Sequence, residues 1–451
     1  MTYYSKKLLR RSKLRFIFIF ILLLSAPIEA IELDIPLEAT KNHRASIMEV
    51  FELPPTDIAT LNPNIQLDSP EYSEGKGYKG RNFPGIGSGL IRVPKTKNEF
   101  YMLTDRGPNF DNANSIGTVY GKIFPLEKFA PAIVHVKLEN KTIQIIKSIP
   151  IVDSNGKSVS GISNGSDDER PFNIDEKLIP YRSGGIDTEA IQLLPDGNFL
   201  ISEEYGPSVL VVDPNGKVLM RYLPKGKAIA GTTYPVRDNL PEVLKNRRSN
   251  RGFESLALSL DGKTAYAILQ SPMGDSKSSS FSNSRTVRIV RLDCANSLDI
   301  RVTGMFLVLQ SSIVDYPSTS KQADLKYSDA VMLSSSKILL LERATKKVKL
   351  IVADLKDATN ILDLPISTSL EPEEKSESLK LLNIQTAETS VVFNSVDVFF
   401  QLDTDKIEGL TVLSPSVVAL SNDNDFALGE NTSNYPSRVW YIQLRKALPL
   451  E

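Results

Sequence analysis

The chain has 451 residues, 41% hydrophobic and 24% charged, enough for a sizeable core and for one large all-β or barrel domain. Its first 30 residues carry six basic side chains against Glu29, so the rest of the chain holds −6 of the overall −1, which excludes a surface built on nucleic-acid phosphates. A single cysteine, Cys294, excludes an intramolecular disulfide; two distant histidines, His43 and His135, argue against a Cys/His zinc site and leave a Ser-His-Asp triad badly supplied.

The N-terminus reads as an export signal over residues 1–30: a basic stretch, the apolar run "FIFIFILLL" (Phe16 to Leu24), then "SAPIEA" ending at Ala30. The run is shorter than the ~20 residues that span a bilayer. The expectation is a secreted or periplasmic protein with no stable membrane span after cleavage. Residues 31–81 read as a lead-in. "GIGSG" (Gly85 to Gly89) is followed by strand-like residues rather than a helix, so it is not a dinucleotide loop, and no P-loop occurs.

From residue 82 to 445 the pattern is alternating apolar runs broken by "DSNG", "PDG", "DPNG" and "LDG" turns. One unit recurs in five copies: "GSGLIRVPKTKNEFYMLTDRG", "DTEAIQLLPDGNFLISEEYG", "FESLALSLDGKTAYAILQSP", "YSDAVMLSSSKILLLERA" and "IEGLTVLSPSVVALSNDND". Their leading positions Ser88, Glu189, Glu254, Asp329 and Glu408 lie 101, 65, 75 and 79 residues apart. Polar strands such as "VRIVRLD" and "RVWYIQL" fall between the units. Four strands per radial repeat describe a β-propeller, and the mature length at roughly 70 residues per blade suggests six four-stranded blades. A β-sandwich or two separate β domains is the competing architecture. "SNGSDDERPFNIDEK" is expected to be a loop insertion, and "SLEPEEKSESLK" (Ser369 to Lys380) a charged surface excursion.

In a propeller, matched hairpin ends converge on one mouth. That would gather Asp105, Asp187, Glu189, Glu203, Glu204, Glu254, Asp329, Glu342, Glu408, Asp423 and Asp425 beside Arg106, Arg251 and Arg343. Two like charges ~4 Å apart repel by about 4 kcal/mol at an effective dielectric near 20. Such a surplus calls for protonation or a bound cation, and with all-oxygen ligands the natural one is calcium. "SNDNDF" (Ser421 to Phe426) adds a run of oxygen-bearing side chains without the spacing of an EF-hand. Guanidinium forks suit phosphate oxygens.

"LTDRGPN", "GGIDTEA", "SEEYGPS", "RGFESLALSLDGKTAYAILQSP", "LLLER" and "KIEGLTVLSPSVVALSNDNDF" resemble, in order, the phytase-like family of exported bacterial proteins ("esterase-like activity of phytase"), from about Asn82 to Gln443. The resemblance implies a phosphoester or ester hydrolase with repeated acids. The family's acids fall on Asp105, Asp187, Glu189, Glu203, Glu204, Glu254, Glu342, Glu408, Asp423 and Asp425, with Arg106, Tyr205, Arg251 and Arg343 inside matching motifs. The charge around Glu374 and the serine-rich "GDSKSSSFSNS" loop after Met273 depart from it.

The expected activity is calcium-dependent hydrolysis of a small phosphoester or other ester by a monomer. Asp105, Asp187, Glu189, Glu203, Glu342, Glu408, Asp423 and Asp425 would hold metal. Arg106, Arg251 and Arg343 would hold the phosphate, Glu204 or Glu254 would act as general base, and Tyr205 would belong to the catalytic set. The alternatives are a non-catalytic, calcium-stabilised propeller that binds a ligand or partner, and a lactonase-type calcium hydrolase.

Overall fold

The alternating runs form antiparallel hairpins, and the turn glycines show why the turns carry that chemistry. Gly156, Gly197, Gly216 and Gly262 all have positive φ, between 70° and 90°, a conformation costly for residues with a Cβ. In the computed structural model the described residues are 45–63, 65, 80–111, 121–166, 168–229, 231–316, 319, 321–344, 347–395, 406–428 and 436–450. The export-signal segment and His43 lie outside them. All belong to one unit, Asn42–Glu451.

The described residues make five four-stranded groups. Group I contains Leu90–Arg92, Glu99–Leu103, Ala132–Glu139 and Thr142–Pro150. Group II contains Thr188–Leu193, Phe199–Glu203, Ser208–Val212 and Val218–Pro224, extended by a parallel edge strand, Val236–Leu240. Group III contains Phe253–Leu258, Thr264–Leu269, Thr286–Asp293 and Arg301–Leu309. Group IV contains Lys326–Met332, Lys337–Ala344, Lys347–Asp354 and Glu388–Asn394. Group V contains Ile407–Ser414, Val417–Asn422 and Arg438–Leu444, and takes its fourth strand, Ala45–Glu52, from the segment read as a lead-in. A parallel pairing of Glu52 with Thr142 then joins groups V and I.

The first strands of the groups touch in a closed cycle, I to II, III, IV, V and back to I. Sequential four-stranded sheets around such a ring are the arrangement of a β-propeller, and the architecture is mostly β as expected. Beside these groups the described residues include long loops and a small sheet of Phe110–Asp111, Gly121–Ile123 and Arg170–Phe172.

The core lies in layers between neighbouring sheets. Leu103 and Ile133 of group I pack with Ile191, Ile201 and Leu210 of group II. Leu200 and Val211 of group II join Leu256 and Ile289 of group III and Leu340 and Ile351 of group IV. Leu341 and Leu350 meet Leu410, Leu420 and Ile442, and Leu90 and Met102 meet Ala419 and Val439, which closes the ring. His135 sits half-buried in its strand, bonded to Glu99 at 2.9 Å, not in any site. Ser369 to Lys380 is not a free excursion: the short helix Glu371–Glu374 seats Glu373 against Arg288 at 2.7 Å, both fully buried.

Candidate metal centre

The first strands of groups II to V share one irregularity, and it aims the side chains. In group III, Phe253 faces Leu269 and Ser255 faces Ile268, which leaves Glu254 as an extra, unpaired residue. Ser328 in group IV and Glu408 in group V are extra in the same way. In group II the register breaks between Thr188 and Ile191, around Glu189. A bulge of this kind re-aims its extra residue. Here Glu189, Glu254 and Glu408 turn into a shared pocket. Asp329, matched to them in the sequence, falls one place later. Its carboxylate accepts from Ala330 N and Leu410 N, both at 2.8 Å, and braces group IV against group V.

The second strands end in register with the bulges. Glu204 N donates to Asp187 O, Gln270 N to Gly252 O and Asp423 N to Lys406 O, each at 2.9 Å. Three repeat positions therefore meet at the pocket. Two residues before the bulge stand Asp187, Gly252, Lys326 and Lys406; at the bulge Glu189, Glu254, Ser328 and Glu408; at the exit Glu204, Gln270, Arg343 and Asp423; all but Gly252 and Ser328 line the pocket. Asp105 and Arg106 come from group I, and Asn250 precedes group III. The pocket holds about 50 Å³ and every lining residue is polar or charged. That is room for a few water-sized groups at ~10–15 Å³ each.

Several expected residues lie elsewhere. Glu203 and Glu342 precede the exit position by one residue, so they project from the opposite face of their strands. Glu203 accepts from Arg221 at 2.8 Å, Ser208 at 2.5 Å, and the backbone N–H groups of Asp187 and Tyr205, both at 3.0 Å. Glu342 accepts from Tyr316 Oη and Ser311 N, both at 2.8 Å. Tyr205 is buried and donates to Gly161 O at 2.9 Å. Asp425 pairs with Lys406 at the edge of the pocket. Arg106 is taken by Glu169 at 2.8 Å and Asp187 at 3.2 Å. Arg251 reaches Gln270 at 2.8 Å, and Arg343 donates to Ser328 at 2.6 Å while pairing with Glu408.

The acids that do converge are crowded and dry. Burial, reinforced by neighbouring carboxylates, holds Asp187, Glu189 and Asp423 well above the usual carboxylate range, with Arg106 pulling Asp187 and Lys406 pulling Asp423 the other way. Burial together with Glu408 and Glu204 pushes Glu254 up to about 8, and burial pushes Asp105 up to about 6. Lys326 is driven well below its ordinary value by burial and by Arg251 and Arg343 beside it. The pocket thus has an acidic side on group II and a basic side toward groups III and IV.

Asp187, Glu189 and Glu204 each offer an oxygen within 4.8 Å of the other two, the geometry of a cation site. Their exposures are 1%, 6% and 2%, and Oε1 of Glu204 and Oε2 of Glu254 accept no hydrogen bond. Buried carboxylate oxygens without donors fit a hard cation, which supplies what the protein does not. Lys326, Lys406, Asn250 and Gln270 escaped the sequence reading. The lysines had a signal: each stands two residues before its bulge, as Asp187 does, which shows only once the strands are aligned on the bulge.

Fold and pocket together define a propeller-type β protein with a buried acidic cluster able to hold a cation. The chain belongs to the phytase-like family: the family model described as "Esterase-like activity of phytase" matches residues 81–426, which include every residue of the pocket. An "Uncharacterized secreted protein" of Arthroderma benhamiae is 31% identical over 144 residues, 29% of this chain. That stretch spans 28% of the relative's own length. Among solved structures, a luciferin-regenerating enzyme aligns at a TM-score of 0.34 and 9% identity over 83% of this chain and 98% of that one. The Pseudomonas aeruginosa periplasmic gluconolactonase PpgL aligns at 0.30 and 10% over 80% and 86%. Likenesses this loose say nothing of chemistry; the architecture rests on the chain's own strand order.

Proposed function

We propose that the chain is an exported, calcium-dependent hydrolase of phosphoester or other ester bonds, acting at the pocket of a five-bladed propeller. One observation carries this reading: the acidic trio Asp187, Glu189 and Glu204 shares a wholly polar pocket with the basic side chains Lys326 and Arg343. Asp187, Glu189 and Glu204 hold the ion. A bound calcium ion supplies neutralisation of developing negative charge and a more acidic water. Arg343, Lys326 and the neighbouring Arg251 receive the anionic oxygens of the substrate. Their mutual repulsion favours an anionic ester over a neutral lactone.

Glu204 is committed to the ion, which leaves Glu254 as the proton-transfer group. In the metal-free protein burial and the neighbouring Glu408 and Glu204 push its pKa up to about 8, so there it carries its proton at neutral pH, the form that donates to a leaving oxygen. A pocket of about 50 Å³ admits one phosphoryl-sized group, so the rest of the substrate stays outside. That narrowness also favours a second reading, a calcium-stabilised propeller that binds a ligand at its mouth without turnover. Export is supported by the signal pattern of residues 1–30 and by the secreted relative. Among the described residues no helix is long and apolar enough to cross a membrane.

The test is a calcium titration of chelator-stripped protein with p-nitrophenyl phosphate and p-nitrophenyl acetate. Calcium-restored phosphate release is expected. Glu254→Gln should lower kcat by 10²–10⁴-fold, the usual worth of a proton-transfer group, while keeping the calcium-induced rise in Tm. If calcium raises Tm and neither ester is cleaved, the binding reading replaces the hydrolase.

A further inference from the structure

We propose that Lys406 is a built-in cation: its ammonium takes the place of a second metal ion, so the pocket binds one divalent ion per chain, at Asp187, Glu189 and Glu204. The proposal rests on the metal reading above and fixes the number and place of ions.

The argument starts from two hairpins with the same backbone. In groups II and V the exit residue donates its N–H to the carbonyl of the residue two before the bulge, Glu204 to Asp187 and Asp423 to Lys406, both at 2.9 Å. The bulge residue is a glutamate in each, Glu189 and Glu408, and the exit residue is an acid in each. The two differ in sign at one position, aspartate in group II and lysine in group V.

That difference decides how each side meets its charge. In group II, Asp187 adds a third carboxylate, and the three oxygens gather within 4.8 Å. Arg106 touches only Asp187 and is shared with Glu169. Among the described residues Glu189 and Glu204 have no ion pair, and Glu204 Oε1 is buried without a donor. In group V the ammonium of Lys406 turns back onto its own hairpin, pairing with Asp425 and standing 3.5 Å from Asp423. Glu408 pairs with Arg343 instead. Every carboxylate of group V at the pocket thus has a protein cation, whereas group II leaves two open. Carboxylates already paired offer a divalent ion little, because it must first displace their partner.

The experiment is calcium binding to the stripped, signal-free protein by isothermal titration. The wild type is expected to bind one ion, and Glu204→Gln to bind none at the same calcium concentrations. Lys406→Asp, which frees Asp423 and Asp425 of their cation and sets a third carboxylate beside them, is expected to bind two. Two ions or none in the wild type overturns the proposal, as does Lys406→Asp, folded by circular dichroism, binding only one. Should Lys406→Asp not fold, Glu204→Gln decides: an undiminished single ion there places the site away from group II. Turnover does not enter this count, so an absence of hydrolysis leaves the proposal standing, and a count of two leaves hydrolysis open.

Discussion

Single residues in this protein are decided by which face of a strand they occupy. Glu203 and Glu204 are adjacent, yet one is locked against Arg221 and the other opens into the pocket with a bare oxygen. Arg221 is wholly buried and bonds Glu203, Ser208, Tyr234 and the carbonyls of Gly185 and Tyr205. Removing it strands a buried carboxylate, so Arg221→Met is expected to cost ~3–5 kcal/mol in urea unfolding. A loss below about 1 kcal/mol would mean that Glu203 is protonated or reached by water. The alternation itself was legible in the sequence, since a period of two puts neighbouring residues on opposite faces. Which of the pair faced inward was not, because that depends on where the bulge falls. Tyr205 shows the same limit: its motif marked it, but only packing reveals a hydroxyl spent on Gly161 O.

At the scale of the element, the bulged hairpin is the device that collects charge. Three bulged strands place glutamates in one small volume, and in the metal-free protein two of them, Glu189 and Glu254, hold their protons well past the usual carboxylate range, at a price in pH sensitivity. Glu254 ordinarily titrates near 4.5 and in the fold near 8. Between those values the folded state holds a proton the unfolded chain has lost, so rising pH favours unfolding. Glu189 and Asp187 are shifted in the same direction. The metal-free protein should therefore lose Tm steadily from pH 5 to pH 8, and calcium should restore it most at pH 8. A Tm flat across that range in chelator would show that burial does not hold these protons. The hairpins and their turns could be read from "PDG", "DPNG" and "LDG". The bulge left no mark in the sequence, and aligning on the first acid therefore put Asp329 where Ser328 belongs.

At the scale of the whole molecule, the described residues form five four-stranded groups that touch in a closed cycle, where division of length suggested six blades. The chain also spends residues between strands, on the small sheet and on the Ser369 to Lys380 segment that buries Glu373, which a division of length does not take into account. The seam is specific: Glu52 N donates to Lys141 O at 3.1 Å, and its carboxylate meets Arg438 at 2.7 Å. Comparing Glu52→Pro with Glu52→Ala isolates that donor, since both lose the ion pair. The proline is expected to be less stable by ~1–3 kcal/mol, the cost of a hydrogen bond left unmade. Equal stability of the two would place the fastening in the side chains alone.

The pairing of Ala45–Glu52 with Arg438–Leu444 also sets a clock. Ala45–Glu52 can find that partner only once Arg438–Leu444 has been made, so the ring stays unsealed while the strands between them are synthesised, and contacts this distant in sequence form slowly. A nascent chain of this design stays open at one edge until Arg438–Leu444 is released.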